Sequence, residues 1–198
     1  DINQFIGKNK ALVSIFSGSR VSEVNILMPI LIDFIKLMGK KYNDITYVFH
    51  STKEYNELIQ SYIKNNDLNN CEVISDEKFQ AHLLRKSIFA VSKNGTISLE
   101  ICKSTIPSII IYKINFLNYL IIKILIKTKF VNIINIASQK EVIPELLQNK
   151  CNAHNIYENV NEFLDKPDKI QNQLKIVKSI IDSFKTKTAS SELASEFI

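Results

Sequence analysis

Residues 11–38 read ALVSIFSGSRVSEVNILMPILIDFIKLM, and residues 45–49 read ITYVF. Ala11 to Phe16 is a short apolar run that stops at Ser17-Gly18-Ser19-Arg20, as a buried strand stops at a tight turn. Beyond the turn, Val24, Leu27, Leu31, Phe34, Ile35 and Met38 recur at three- and four-residue steps, the spacing of one helix face. Pro29 falls inside this pattern and is expected to kink the helix, because it removes a backbone donor. Ile45 to Phe49 then supplies a second strand from β-branched and aromatic residues. Strand, turn, helix and strand in this order form one unit of a parallel sheet.

The same alternation continues outward. Ser51 with Glu54 three residues on has the spacing of a capping box, and Tyr55, Leu58, Ile59 and Tyr62 line the helix behind it. Cys71 to Ile74 reads as a third strand, with Asp76 capping a helix that carries Phe79 and Leu83. Ile88 to Ser92 reads as a fourth, turning at Lys93-Asn94-Gly95-Thr96 into a helix with Leu99, Glu100 and Cys102. Ser108 to Tyr112 is a fifth strand, followed by a helix from about Phe116 to Lys127. Phe130 to Ile134 is the candidate sixth strand. Glu141 to Gln148, Val160 to Leu164 and the stripe Leu174, Val177, Ile181 and Phe184 read as helical. The stripe either packs on the chain's own sheet or braces a neighbouring half.

The fold class expected is therefore α/β: a Rossmann-like parallel sheet of about six strands flanked by helices, with a helical C-terminus. Residues 1–185 are assigned to this domain and 186–198 to a polar C-terminal tail. Right-handed crossovers set all strand C-terminal ends on one edge, where such sheets bind ligands. The loops to examine are 17–20, 92–96 and 112–115.

Composition narrows the class without naming it. The chain has 198 residues, 45% hydrophobic and 23% charged, with four Gly and four Pro, which describes a globular domain and not a disordered one. Its net charge of +5 suits basic loops that attract phosphate and equally an anionic membrane surface. Cys71, Cys102 and Cys151 form neither a Cys-x-x-Cys pair nor a disulfide framework, which points to a reducing compartment and buried thiols. His50, His82 and His154 show no ligand spacing, so no metal is expected. The apolar stretch 114–131 is interrupted by Lys123, Lys127 and Lys129 and is too broken for a spanning helix. It reads either as a helix buried on the sheet or as an interfacial surface. The absence of an initiator Met at Asp1, within a strand-like context, suggests a missing N-terminal part.

Two loops could carry chemistry. Gly18 permits close backbone approach, Ser19 can donate to an anion, and Arg20 brings a forked cation suited to phosphate. The same turn also reads as purely structural. In the second loop Asn94, Gly95 and Thr96 open a helix, and Glu100 stands one turn further in. That carboxylate could accept from vicinal ribose hydroxyls, or be a solvated acid favoured by the helix dipole.

Taken together the motifs become familiar. Phe16-Ser17-Gly18-Ser19-Arg20-x-x-Glu23-Val24 resembles the Pro-Gly-Ser-Arg-x-x-Glu-Ile segment of the lipid A disaccharide synthases, and residues 94–100 (NGTISLE) resemble their Ser-Gly-Thr-x-x-Leu-Glu. Tyr112-Lys113 is similar to their Tyr-Lys/Arg segment. Residues 127–131 (KTKFV), Asn135, and residues 141–148 (EVIPELLQ) resemble the family's closing motifs, over about residues 10–185.

The resemblance implies the C-terminal, donor-binding half of a GT-B glycosyltransferase. The family's reaction is an inverting transfer of 2,3-diacylglucosamine from UDP to lipid X, with no metal or cofactor. Gly18, Ser19 and Arg20 would face the donor diphosphate together with Asn94, Gly95 and Thr96. Glu100 would hold the ribose, and Asn135 corresponds to a family asparagine of the donor site. Catalytic residues would lie in the absent N-terminal, acceptor-binding half, so this chain alone would be inactive. The implied setting is cytoplasmic and peripheral at the inner membrane, with no nucleic-acid partner. Ser17, Asn94 and Ile134 depart from the family's Pro, Ser and Pro. A non-catalytic remnant that binds nucleotide sugar, or another GT-B UDP-N-acetylhexosamine enzyme, are the alternatives.

Overall fold

The computed structural model describes residues 11–115 and 129–184. Six parallel strands form one sheet: β1 (Ala11–Phe16), β2 (Ile45–His50), β3 (Cys71–Ile74), β4 (Phe89–Lys93), β5 (Ser108–Tyr112) and β6 (Glu145–Leu147). Their order is β3-β2-β1-β4-β5-β6. Val13 pairs with Tyr47 on one side and with Phe89 on the other. The order reverses between β1 and β4, and there the loops leaving the two strands diverge to open a crevice.

The helices are α1 (Val21–Met38), α2 (Asn56–Lys64), α3 (Glu77–Lys86), α4 (Ile97–Lys103), α5 (Ile133–Ser138), α6 (Ala153–Asp165) and α7 (Pro167–Ser183). Period-2 alternation along the strands divides the core between the two faces. Val13, Ile15, Tyr47, Phe49, Phe89 and Val91 meet α1, α2 and α6 in one cluster. Leu12, Val48 and Ile74 meet Leu83 of α3, while Phe16 and Ala90 meet Leu84 and Ile101. Burial on both faces is why the central strands are mostly apolar, and each fully buried Phe, Leu or Ile contributes about 1.5–3 kcal/mol.

Several expectations change here. α1 runs through Pro29 as one element with Pro29 exposed, a continuity that the expected kink would not break. Ser51 does not cap: its Oγ donates to the Thr52 carbonyl, and a single 3-10 turn at Lys53–Tyr55 precedes α2. Asp76 does cap α3, accepting from the Phe79 amide at 2.9 Å.

The largest difference lies in the closing motif. The sixth strand is Glu145–Leu147, not residues 130–134, which form a turn and the start of α5. Residues 141–147 are not helical, and Gln148 opens a single 3-10 turn, Gln148–Lys150. Pro144 disfavours the helical region for Ile143, and its carbonyl accepts from the Ile110 amide at 2.8 Å, extending the sheet edge. Two of the four stripe residues pack on the chain's own domain, Val177 and Ile181 joining Cys102, Ile110, Ile134 and Ile143, while Phe184 is exposed just beyond α7. Buried Gln173 fixes that helix, accepting from the Ser108 amide and donating to the Ser108 and Val142 carbonyls.

Burial pushes the thiols of Cys71 and Cys102 up to about 12 and that of Cys151 to about 11, so all three are unreactive fillers of the core. Among the described residues no helix is long and apolar enough to cross a membrane. The expected helix at 116–127 and the tail at 186–198 lie outside the described residues.

Candidate functional site

The turn after β1 is built around a buried carboxylate. Gly18 has φ +115, and a Cβ there would lie 2.5 Å from Glu23 Oε2 and 2.7 Å from Glu23 Cβ. Only glycine fits that conformation and that contact. Glu23, in the first turn of α1, is 8% exposed. Its Oε2 accepts from the Ser19 amide at 3.0 Å, and its Oε1 meets Lys93 Nζ at 2.8 Å. Glu23 thus ties the loop after β1 to the end of β4, across the point where strand order reverses.

This arrangement revises the expected anion cradle. The Ser19 amide is already committed to Glu23, and the amides of Glu23 and Val24 bond to the Arg20 carbonyl, each at 3.0 Å. The loop also offers a ligand side chains. Ser19 and Arg20 are both exposed, Arg20 at the N-cap of α1.

The second loop faces the first. Asn94 extends the sheet through its amide to the Ile111 carbonyl and ties down the Val131 carbonyl with its side chain, each at 3.2 Å. Ser98 folds back onto the Gly95 carbonyl at 2.7 Å. Gly95 is unlike Gly18, because a Cβ there would meet nothing within 4 Å. Gly95 and Thr96 are exposed.

A cavity of about 220 Å³ lies between the loops, with Gly18, Ser19, Lys93, Asn94, Gly95 and Thr96 in its walls. A neighbouring cavity of about 540 Å³ contains Glu100, with Arg85 and Lys103 near it. Phe16, His50, Gln80 and Ile97 line both, so the two are contiguous. Six of the eight expected site residues therefore line these two cavities, and Arg20 follows Ser19 in the chain without lining either.

Asn135 does not join them. It is fully buried, and its Nδ2 donates to the Ile143 carbonyl at 2.7 Å and to Glu145 Oε1 at 2.8 Å. Its Oδ1 accepts from the amides of Val142 and Ile143 at 2.8 and 2.9 Å. Two donors and two acceptors exhaust an asparagine side chain, which leaves no capacity for a ligand. Asn135 instead anchors the segment that leads into β6. Glu145 assists by accepting from the Val131 and Asn132 amides, each at 2.9 Å.

Sequence reasoning passed over Glu23, Lys93 and His50. Glu23 stood in the quoted motif as a letter without a role. Lys93 immediately precedes Asn94, and a cation next to a glycine turn is the signal that could have marked it. Nothing local distinguishes His50, which ends a strand among apolar residues.

The whole chain matches one known pattern. A family model described as Lipid-A-disaccharide synthetase covers residues 2–197. The chain belongs to this family. Among curated members, the lipid-A-disaccharide synthase of Rickettsia prowazekii (strain Madrid E) is 32% identical over 195 residues, covering 98% of this chain and 51% of the relative. That of Sulfurihydrogenibium sp. (strain YO3AOP1) is 31% identical over 167 residues, covering 80% and 43%. The chain spans about half the length of the curated relatives it matches.

Solved structures agree on the fold. The C-terminal domain of a glycosyl transferase group 1 family protein from Francisella tularensis superposes with TM-score 0.59 at 14% identity, covering 90% of this chain and 87% of that one. UDP-GlcNAc 2-epimerase from Neisseria meningitidis, bound to UDP-GlcNAc, gives 0.59 at 15% identity, covering 92% and 46%. At such identities the likeness speaks for the Rossmann-like fold alone.

Within the lipid-A-disaccharide synthetase family pattern, the three departures have visible consequences. Ser17 is buried with no partner for its Oγ. Asn94 gains its bond to the Val131 carbonyl. Ile134 donates its amide to Asn132 Oδ1 at 2.9 Å, a capping bond that proline could not make.

The two glycines should respond oppositely to alanine. Gly18→Ala is expected to cost about 1–3 kcal/mol of stability, from the left-handed φ and the clash with Glu23. Gly95→Ala is expected to hold or slightly raise stability, because its Cβ enters open space. Urea unfolding of both variants would measure this; equal destabilisation would contradict the steric assignment of Gly18.

Proposed function

We propose that this chain is the donor-binding half of a lipid-A-disaccharide synthase, holding a UDP-linked acylated glucosamine for transfer to a lipid X type acceptor. The observation that carries the reading is the convergence of two motif loops on one crevice where strand order reverses, with Glu100 in the adjoining cavity. Crevices at that position of a doubly wound sheet are where nucleotides bind.

Ser19, Arg20 and Lys93 meet the donor diphosphate, supported by the Gly95–Thr96 turn, which leaves the crevice floor bare. Glu100 accepts from the ribose hydroxyls. The acceptor site and the base that activates its hydroxyl belong to a separate N-terminal half, since inverting transfer needs the acceptor oriented opposite the leaving diphosphate. Glu23 and Glu145 are not free for that work, because both bind the chain's own amides. An acylated donor would bring the protein to the inner membrane surface. Membership in the family weighs against another UDP-N-acetylhexosamine enzyme of this fold.

Calorimetry with UDP tests the reading. UDP is expected to bind, and Arg20→Ala is expected to remove about 1.5–3 kcal/mol of its binding, the scale of a charge-assisted hydrogen bond. Glu100→Gln should weaken UDP while leaving pyrophosphate unchanged, because only UDP carries the ribose. No binding of UDP at millimolar concentration would sink the proposal.

A further inference from the structure

We infer that His50 recognises the nucleoside end of the donor, its Nδ1 accepting a hydrogen bond from an N–H or O–H of the base or ribose. The inference rests on the nucleotide reading above and assigns it a further specificity-determining residue.

His50 is the last residue of β2, is 5% exposed, and lines both contiguous cavities. Its ring stacks on Phe16 with centroids 4.3 Å apart and planes at 17°. A short chain of hydroxyls determines which nitrogen carries the proton. Ser87 Oγ donates to the Leu83 carbonyl at 3.1 Å, and a carbonyl can only accept. With the one proton of Ser87 on that carbonyl, we assign Ser14 as the donor to Ser87 across the 2.7 Å contact, where either hydroxyl could donate. Ser14 has then spent its own. Across the next 2.7 Å contact, His50 Nε2 must therefore be the donor.

The imidazole is thus protonated on Nε2 and bare on Nδ1. Among the described residues Nδ1 has no hydrogen-bond partner, although it is buried. An unpaired buried acceptor is costly and rare enough in native proteins to need an explanation. Burial also holds the ring neutral, with its pKa lowered to about 4, so Nδ1 remains an acceptor at neutral pH.

An acceptor selects among the parts of the ligand. The ionised diphosphate offers only acceptors and cannot satisfy it. The donors of UDP are the uracil imide N–H and the ribose hydroxyls, all on the nucleoside; the linked glucosamine adds hydroxyls and an amide N–H, which probing with UDP alone leaves out. A second wall residue agrees. Gln80 Nε2 donates to the carbonyls of Ser51 and Ile74 at 2.6 and 2.7 Å, which orients the amide and leaves Oε1 as its acceptor. The contact to Nδ1 forms directly or through one trapped water.

The test is an imidazole ¹H–¹⁵N spectrum of the chain, with UDP and pyrophosphate as probes. Nε2 should carry the proton, and saturating UDP should shift the Nδ1 resonance while pyrophosphate leaves it in place. His50→Phe keeps the stacking surface and should weaken UDP roughly five- to tenfold without changing pyrophosphate. The analogues N3-methyl-UDP and 2′-deoxy-UDP identify the donor, since the effect of His50→Phe vanishes for the analogue lacking the matching group. A proton on Nδ1, or an Nδ1 resonance unmoved while UDP binds, overturns this inference and leaves the nucleotide reading standing. If His50→Phe does not fold, the spectrum of the unaltered chain decides. Failure of the unaltered chain to bind UDP at all overturns both.

Discussion

Asn135→Ala should lower the unfolding free energy by about 3–5 kcal/mol, although the side chain touches neither the crevice nor solvent. The substitution deletes four hydrogen bonds at once and leaves the amides of Val142 and Ile143, the Ile143 carbonyl and one bond of Glu145 Oε1 without their partner. Orphaned buried groups each cost about 1–3 kcal/mol, reduced where the segment can relax towards water. For a domain of this size the loss corresponds to a fall in melting temperature of roughly 10 °C. Asn135→Asp should be no better, because it would set a second carboxylate 2.8 Å from Glu145. Lys41→Ala, which breaks an exposed pair with Asp165, is the control and should leave the melting temperature nearly unchanged. A mild effect of Asn135→Ala in calorimetry would show that the segment leading into β6 does not depend on this anchor.

Acid should destabilise the chain through His50 before its carboxylates titrate. The pKa of His50 is lowered from 6.5 to about 4 because burial disfavours the charged ring. The unfolded chain takes up the proton near pH 6.5 while the folded chain does not, so protons favour unfolding between those values. Stability is full above about pH 6.5, falls as pH drops towards 4, and loses no more from this group below that. The span corresponds to about 3 kcal/mol. His50→Gln cannot take up a proton in this range, and its stability should be nearly flat from pH 6.5 to 4.5. Urea unfolding across that range measures both proteins. A slope for the variant as steep as that of the natural chain would assign the acid sensitivity elsewhere.

How far the sequence could be read depended on the range of the interactions involved. The five strands that begin at Ala11, Ile45, Cys71, Phe89 and Ser108 were legible, to within a residue at their ends, because burial on both faces makes each one an apolar run. The closing motif was misread for the opposite reason. Its apolar residues recur at helix-like spacing, and its strand character comes from partners elsewhere: Ile110 on β5, Val131, and Asn135 on α5. Only Pro144 argued locally against a helix.

The candidate site divides along the same line. Glycine turns ending strands β1 and β4 are local signals, and parallel topology alone brings strand ends to one edge, so the loops holding Gly18 and Gly95 could be placed before any coordinates. What each residue does there could not. Glu23 holds the first loop because it folds back beneath Gly18 and reaches Lys93 across the sheet. Asn135 lies in a family motif yet has every hydrogen-bonding position filled by residues seven to ten positions away.

The amino-acid order by itself determined the parallel sheet, the edge where its glycine loops meet and the family, since these follow from periodicity and short motifs. Tertiary structure alone decided which polar side chains remain free to meet a ligand. That depends on which hydrogen bonds the chain has already made, and the three groups that settle His50, on Ser14, Ser87 and Leu83, come together only when β1, β2 and α3 pack.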